Sequence, residues 1–303
     1  MTYEKIYQKI VGIFGLIRPF TLLAPLIVST SIMIASFFYH KMDSLSVMYI
    51  STILSASSSL ALLNGASNAL NQATDKDADR ISKPYRPIPK CLINPKEAYS
   101  IAAVLYVLAL LLASMIHQLF LVFTLCITFF TITYSLPPRM KDTLWWNQLW
   151  IAVPRGFLGI VASWSVFGSI LEPLPLIIGV IAGLFLFGGS ITKDVTDRIA
   201  DSAVGTKTLV NTYGVKKAAV LVLPFLFFPF LLIAVFIDLL VVEPSFWVLT
   251  FFAIPGFYIF WLLIQDRRPS RFFENTAAWT VMYLTYFFFA SCFSVVTIVS
   301  SIW

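Results

Sequence analysis

The chain has 303 residues, 59% of them hydrophobic and only 12% charged, whereas a soluble domain carries about 25% charged residues. An ordinary soluble enzyme is therefore excluded. The net charge of +6 sits in particular loops, as membrane topology requires, so no nucleic-acid partner is expected. Two histidines and three cysteines, with no metal-binding spacing among them, leave no ligand set for haem, copper or zinc.

Met1 to Phe20 is amphipathic, with Glu4, Lys5, Lys9 and Arg18 spread through it. It lacks the pattern of a cleavable signal and reads as an interfacial helix leading into the first span. Apolar runs of roughly 20 residues follow, long enough to cross a bilayer. A membrane barrel would need ~10-residue alternating segments, which are absent. The expected spans are Thr21–Tyr39, Ser46–Ala73, Lys96–Met115, Gln118–Leu136, Trp145–Phe167, Leu174–Lys193, Val215–Leu239, Ser245–Gln265 and Asn275–Ile302. The fold class is all-α. The chain is a polytopic membrane protein with nine transmembrane helices around a central cavity, read as a single domain over 1–303.

The loops support this topology. Of the 21 Lys and Arg residues, 19 fall in the N-terminal segment and in every second loop, including Arg267, Arg268 and Arg271 in the last. The exceptions are Lys41, between the first two spans, and Arg155, inside the fifth. The positive-inside rule then places the N-terminus on the cytoplasmic face of the cell membrane.

Two acidic segments lie on that same face. Asn71, Asp75 and Asp79 are spaced i, i+4, i+8, and Asn68 adds a neighbour at i−3. On a helix these four side chains form one stripe. Asp194, Asp197 and Asp201 form a second, also at the exit of an apolar run. Like charges one turn apart repel and call for a compensating cation. Clusters of hard oxygen ligands suit Mg²⁺, which takes one or two carboxylates per site plus substrate phosphates. The plain alternative is a solvated loop start. Against it, six of only 15 acidic residues lie in these two segments, Asp77 being the one off the stripe. Carboxylates at a membrane edge are costly and usually functional. Lys83, Arg86, Arg139, Lys141 and Lys193 lie on the same side and suit a diphosphate, while Arg18 at the mouth of the first span suits either the substrate or a lipid headgroup.

The Asn71-x-x-x-Asp75-x-x-x-Asp79 motif, the following Lys83-Pro-x-Arg86-Pro, and Asp194-x-x-Asp197-x-x-x-Asp201 resemble the UbiA superfamily of intramembrane prenyltransferases. Motif order, helix number and placement agree over nearly the whole chain. The family's Tyr-x-x-x-Lys element departs here, because Tyr134 has Pro138 at +4 and then Arg139 and Lys141. The resemblance implies transfer of an isoprenyl group from geranyl or geranylgeranyl diphosphate to a lipophilic, membrane-associated acceptor, with Mg²⁺. It implies that Asn68, Asn71, Asp75 and Asp79 hold one ion and Asp194, Asp197 and Asp201 another. Tyr134 would face the allylic carbocation, and Asp194 or Asp197 would orient or deprotonate the acceptor. Among acceptors, aromatic quinone precursors and geranylgeranylglyceryl phosphate both stay open.

The aromatics Phe225, Phe227, Phe228 and Phe230, and Trp279, Tyr283, Tyr286, Phe287, Phe288 and Phe289, mostly pack between helices or face lipid, with some left to line a tunnel for the prenyl tail. Arg155 is expected to point into the cavity or snorkel. Asn147 and Gln148 are placed to reach the acceptor. A different class, a divalent-cation or organic-anion transporter, would use the carboxylates as a permeation site. Transporters more often place charge at the bilayer midplane on broken helices.

Overall fold

The computed structural model describes residues 3–42, 45–265 and 275–302. Arg267, Arg268 and Arg271, expected in the last basic loop, lie outside the described residues. The described residues form helices and turns, with no strand among them. In lipid every backbone polar group must be satisfied within its own segment, and these apolar runs answer that demand as helices.

Helix α1 (Tyr3–Ile17) is amphipathic. It buries Gly12 and Leu16 and exposes Tyr3, Tyr7 and Phe14. Lys9 ties it to the start of α5 through Glu97 at 2.5 Å. Next come α2 (Pro19–Tyr39), α3 (Val47–Thr74), the short α4 (Lys76–Ser82), α5 (Pro95–Ser114) and α6 (Gln118–Ser135). Their starts follow capping chemistry. Ser46 caps α3 through the Tyr49 amide. Asn94 and Glu97 form a reciprocal box around Pro95 at the start of α5, so two orphan amides are satisfied at once. At α6 the His117 ring accepts from the amides of Leu119 and Phe120.

Eight helical stretches among the described residues are long and apolar enough to cross a membrane. The expected fifth span differs in form. It runs as α7 (Leu144–Ala152), a π-helical turn (Val153–Leu158) and α8 (Gly159–Trp164). Pro154 is the cause, because it lacks an N–H and its ring crowds the carbonyl one turn back. Packing holds the widened turn in place. A Cβ on Gly156 would lie 2.5 Å from the Gly183 Cα, so the two backbones touch.

The second half comprises α9 (Pro173–Gly189), α10 (Ile191–Val204), α11 (Leu209–Tyr213), α12 (Val215–Asp238), a 3₁₀ segment (Pro244–Phe252), α13 (Ala253–Ile264) and α14 (Ala277–Ile302). Two apolar cores result. One gathers α3, α5 and α6 around Leu63, Ala109 and Phe120. The other gathers α9, α12 and α14 around Phe185, Phe230 and Phe289. Helix α2 serves both, giving Met33 to the first and Ile32 to the second. As expected of the aromatics, Phe230 and Phe289 are buried between helices, while Phe228 and Phe288 lie exposed on the outer surface.

Candidate active site

Each acidic segment continues from the end of a long apolar helix. Helix α3 ends at Thr74, Asp75 is the junction, and α4 continues from Lys76. Across this junction the amides of Asp75, Asp79 and Lys83 each donate to the carbonyl four residues back, at 2.9, 2.8 and 2.8 Å. The one-turn spacing therefore survives the change of helix, and the expected stripe is real. On the other side α9 passes through Ser190 into α10, which carries Asp194, Asp197 and Asp201. Helices α4 and α10 pack against each other.

Each key carboxylate holds a cation. Asp75 is ion-paired with Lys141 and lies 3.4 Å from Arg139. Asp79 accepts from Arg86 at 2.9 Å on both oxygens, and this pair is buried. Asp194 pairs with Lys193 at 2.5 Å. Asp197 pairs with Lys83, which follows the other acidic segment in the chain. Burial pushes the Asp79 carboxyl above the usual carboxylate range, with Arg86 opposing it. Burial likewise pushes the Lys83 and Lys141 ammoniums below theirs, opposed by Asp197 and Asp75. Desolvation thus exceeds pairing at all three groups. These three charges are held at a desolvation cost, which a ligand bringing both signs would offset.

All fourteen residues expected at the site line one cavity of ≈ 400 Å³: Arg18, Asn68, Asn71, Asp75, Asp79, Lys83, Arg86, Tyr134, Arg139, Lys141, Lys193, Asp194, Asp197 and Asp201. Asp77 is at its rim, mostly solvated and paired with Arg80 at 3.2 Å. Asn71 donates to Asp75 at 2.9 Å. Asn68 turns its amide nitrogen to Thr21 and the Ile17 carbonyl, both at 2.8 Å, which leaves its oxygen as the atom to offer a cation. Deeper in, the lining becomes apolar through Val28, Leu60, Leu63, Ile127 and Met282.

Among the described residues no three carboxylates, histidines or cysteines gather into a preformed metal cage. The oxygen donors that do meet here suit Mg²⁺, which binds through one or two carboxylates and keeps water or phosphate for the rest.

Three relationships were not legible in the motifs. The cation that meets Tyr134 is Lys193, 5.9 Å from the ring centroid, while Arg139 and Lys141 serve Asp75. Asn147, fully buried, accepts from the Tyr134 hydroxyl and donates to Asp194, each at 3.1 Å. Asp142 holds Arg139 at 2.8 Å; its acid among basic residues was the only signal. Asn147 and Gln148 were expected to reach the acceptor, but both are fully buried and outside the cavity lining.

Residues 22–282 match the model of the UbiA prenyltransferase family. The chain is 30% identical over 168 residues to digeranylgeranylglyceryl phosphate synthase of Methanothrix thermoacetophila, covering 54% of this chain. It spans only 60% of the length of that relative, and 54% of the Methanosarcina mazei protein of the same name. A UbiA homolog from Archaeoglobus fulgidus, solved with DMAPP and Mg²⁺, superposes with a TM-score of 0.73 at 19% identity, covering 95% of this chain and 98% of that one. The solved digeranylgeranylglyceryl phosphate synthase superposes with a TM-score of 0.63 at 19% identity; these likenesses show the fold. With the family model matched over most of its length, the chain belongs to the UbiA prenyltransferase family.

Proposed function

We propose that this protein transfers an isoprenyl group from a prenyl diphosphate to a membrane-associated acceptor, acting as one domain of the cell membrane with its acidic end at the cytoplasm. One observation carries the reading: two acidic segments and five Lys and Arg side chains converge on the mouth of a cavity that is apolar in its depth. A prenyl diphosphate has that polarity along its own length.

Asn68, Asn71, Asp75 and Asp79 would hold one Mg²⁺, and Asp194, Asp197 and Asp201 another. When bound, these ions supply positive charge against the diphosphate as it leaves. The chain's own cations do related work. Lys83, Arg86, Arg139, Lys141 and Lys193 leave their carboxylates for phosphate oxygens, so both partners of each ion pair gain a new counter-charge. The C1–O bond breaks with its electron pair departing on the diphosphate. The Tyr134 ring, held by Asn147, presents its π-face to the allylic cation. A lone pair of the acceptor then forms the new bond at C1, and its proton passes to Asp194 or Asp197.

For the acceptor we infer a glyceryl phosphate ether lipid. The support is the name shared by the relatives, digeranylgeranylglyceryl phosphate synthase. Family membership sets the transporter reading aside.

The test is pyrophosphate release by purified protein from geranylgeranyl diphosphate and Mg²⁺, with geranylgeranylglyceryl phosphate and with hydroxybenzoate as acceptors. Acceptor-dependent release that disappears in Asp75→Ala, in Asp194→Ala and with EDTA is expected. Release with hydroxybenzoate alone would overturn the acceptor assignment. No release, together with metal-dependent flux in proteoliposomes, would overturn the enzyme.

A further inference from the structure

Arg155 stands apart from the other cations of the cavity. Those gather at the acidic end, in loops or at helix termini. Arg155 lies within the fifth membrane-crossing stretch, on the π-helical turn, and its exposed surface faces the cavity. Asn147 marks the level of Tyr134 and Asp194 through its two hydrogen bonds. Arg155 is eight residues further on, ~12 Å deeper at helical rise. A helical side chain leans toward its own N-terminus, and here that direction leads back up toward the acidic end. The surroundings agree. The charges of Arg155 and Arg18 both reach the phenol of Tyr283, and that phenol donates to the Thr21 carbonyl at 3.0 Å.

The turn that carries Arg155 is held on two sides. Tyr286 donates to the Arg155 carbonyl at 2.7 Å, and Gly156 rests on Gly183. Pro154, beside it, also lines the cavity. A π-helical turn inside an α-helix frequently marks a functional site.

Among the described residues no acid forms an ion pair with Arg155. Four acids of the cavity, Asp197, Asp79, Asp75 and Asp194, are already taken by Lys83, Arg86, Lys141 and Lys193. An intramembrane cation without a counter-charge is costly and marks an ion or substrate path. Hydroxyls line the same cavity: Thr131, joined to Tyr106 at 3.0 Å, and Ser67. A guanidinium with hydroxyls in the same cavity matches a planar or tetrahedral oxyanion, on which Arg sets two parallel hydrogen bonds where Lys sets a point charge.

We propose that Arg155 binds the anionic group of the prenyl acceptor, a carboxylate or a phosphate ester, and so holds the acceptor beneath the diphosphate with its nucleophile turned toward Tyr134. This rests on the prenyl-transfer reading. It gives the cavity two separate anion sites: the diphosphate at the mouth, bound by Lys83, Arg86, Arg139, Lys141 and Lys193, and the acceptor's anion deeper, bound by Arg155. A neutral acceptor would leave the Arg155 charge in the cavity without a counter-charge.

The test is direct binding to purified protein in detergent, read by tryptophan fluorescence, since Trp150 and Trp279 line the cavity. Two matched pairs of acceptors are compared: geranylgeranylglyceryl phosphate with geranylgeranylglycerol, and para-hydroxybenzoate with para-hydroxybenzamide. The pair that discriminates tells a lipid phosphate from a free aromatic acid. A non-reactive donor, geranylgeranyl thiolodiphosphate with Mg²⁺, is titrated in parallel. Wild type is expected to bind the anionic member of one pair at least about tenfold more tightly than its neutral partner. Arg155→Gln should bring the two to the same affinity, and Arg155→Lys should fall between, with donor binding unchanged in both variants. Unchanged donor binding also shows that the variants are folded. No preference for the anion in wild type overturns the proposal, as does a preference that survives Arg155→Gln. Donor binding that falls together with acceptor binding also overturns it, by assigning Arg155 to the diphosphate. Wild type that binds no donor overturns the prenyl-transfer reading itself, and the parallel titration identifies that case.

Discussion

The ammonium of Lys83 is ion-paired with the carboxylate of Asp197. Lys83 follows the first acidic segment directly, yet its partner belongs to the second, 114 positions away. Lys83 is buried and Asp197 partly so, and the pair joins the end of α4 to α10 at the wall of the cavity.

That pair predicts how metal affects stability. In Lys83→Gln the Asp197 carboxylate loses its counter-charge, and a divalent ion becomes the replacement. Thermal unfolding in detergent should show a larger Mg²⁺-induced rise in Tm for the variant than for wild type, and EDTA should remove it. A ligand that binds only the folded state at 100 times its Kd adds about 2.7 kcal/mol. No Mg²⁺-induced rise in either protein would count against the carboxylates as a metal site.

Arg86 and Asp79 predict a stability effect with an internal control. Both side chains are buried, and two 2.9 Å contacts join them. Arg86→Met leaves a buried carboxylate, a change that costs about 3–5 kcal/mol. Adding Asp79→Leu should recover most of that stability while activity stays lost. If the double variant unfolds as readily as the single one, the pair is not what holds this end of the bundle.

Asn147 predicts a split between binding and turnover. It joins Tyr134 to Asp194 through two 3.1 Å hydrogen bonds and lies outside the cavity lining. Asn147→Leu frees the Tyr134 ring to shift, and a misplacement of about 1 Å can cost ~100-fold in rate. Steady-state kinetics should show kcat falling by about 10–100-fold with the donor KM little changed. Asn147→Asp, which keeps the shape but sets a second carboxylate against Asp194, should be worse. Equal losses in kcat and donor affinity would show that Asn147 supports the fold rather than the ring.

The Gly156–Gly183 contact predicts a steric effect beside Arg155, away from the acidic segments. A Cβ at Gly156 would also meet the Ala182 carbonyl carbon at 2.9 Å. Gly156→Val should therefore destabilise by about 1–3 kcal/mol, the usual cost of overpacking, and should lower acceptor-dependent turnover by moving the π-helical turn. Gly205→Ala meets no atom within 4 Å, but at φ +78 it carries backbone strain of about 1 kcal/mol. Circular dichroism melts of the two variants would separate these causes.

Much of the architecture was legible in the residues alone. Apolar runs of membrane length predict helices because hydrocarbon offers the backbone no other partner, and the helices α2, α3, α5, α6, α12 and α14 lie close to the expected limits. The stripe of Asn71, Asp75 and Asp79 was legible because one-turn spacing is a local property of the helix. Pairing across the cavity was not. Tyr134 meets Lys193 rather than the nearby Arg139 or Lys141, and Lys83 meets Asp197 rather than Asp79. Long cationic side chains choose partners by which helices touch, and the contact of α4 with α10 exists only in three dimensions. The fifth span shows the same division. Pro154 announces a disturbed helix, but its form as a π-helical turn that presents Arg155 to the cavity depends on Gly156 resting against Gly183. The sequence by itself determined the helices, their order and the two acidic stripes, because short-range hydrogen bonding and hydrophobic length set those features. The tertiary structure alone decided which charge neutralises which, and where the intramembrane arginine points, because those follow from packing between segments distant in the chain.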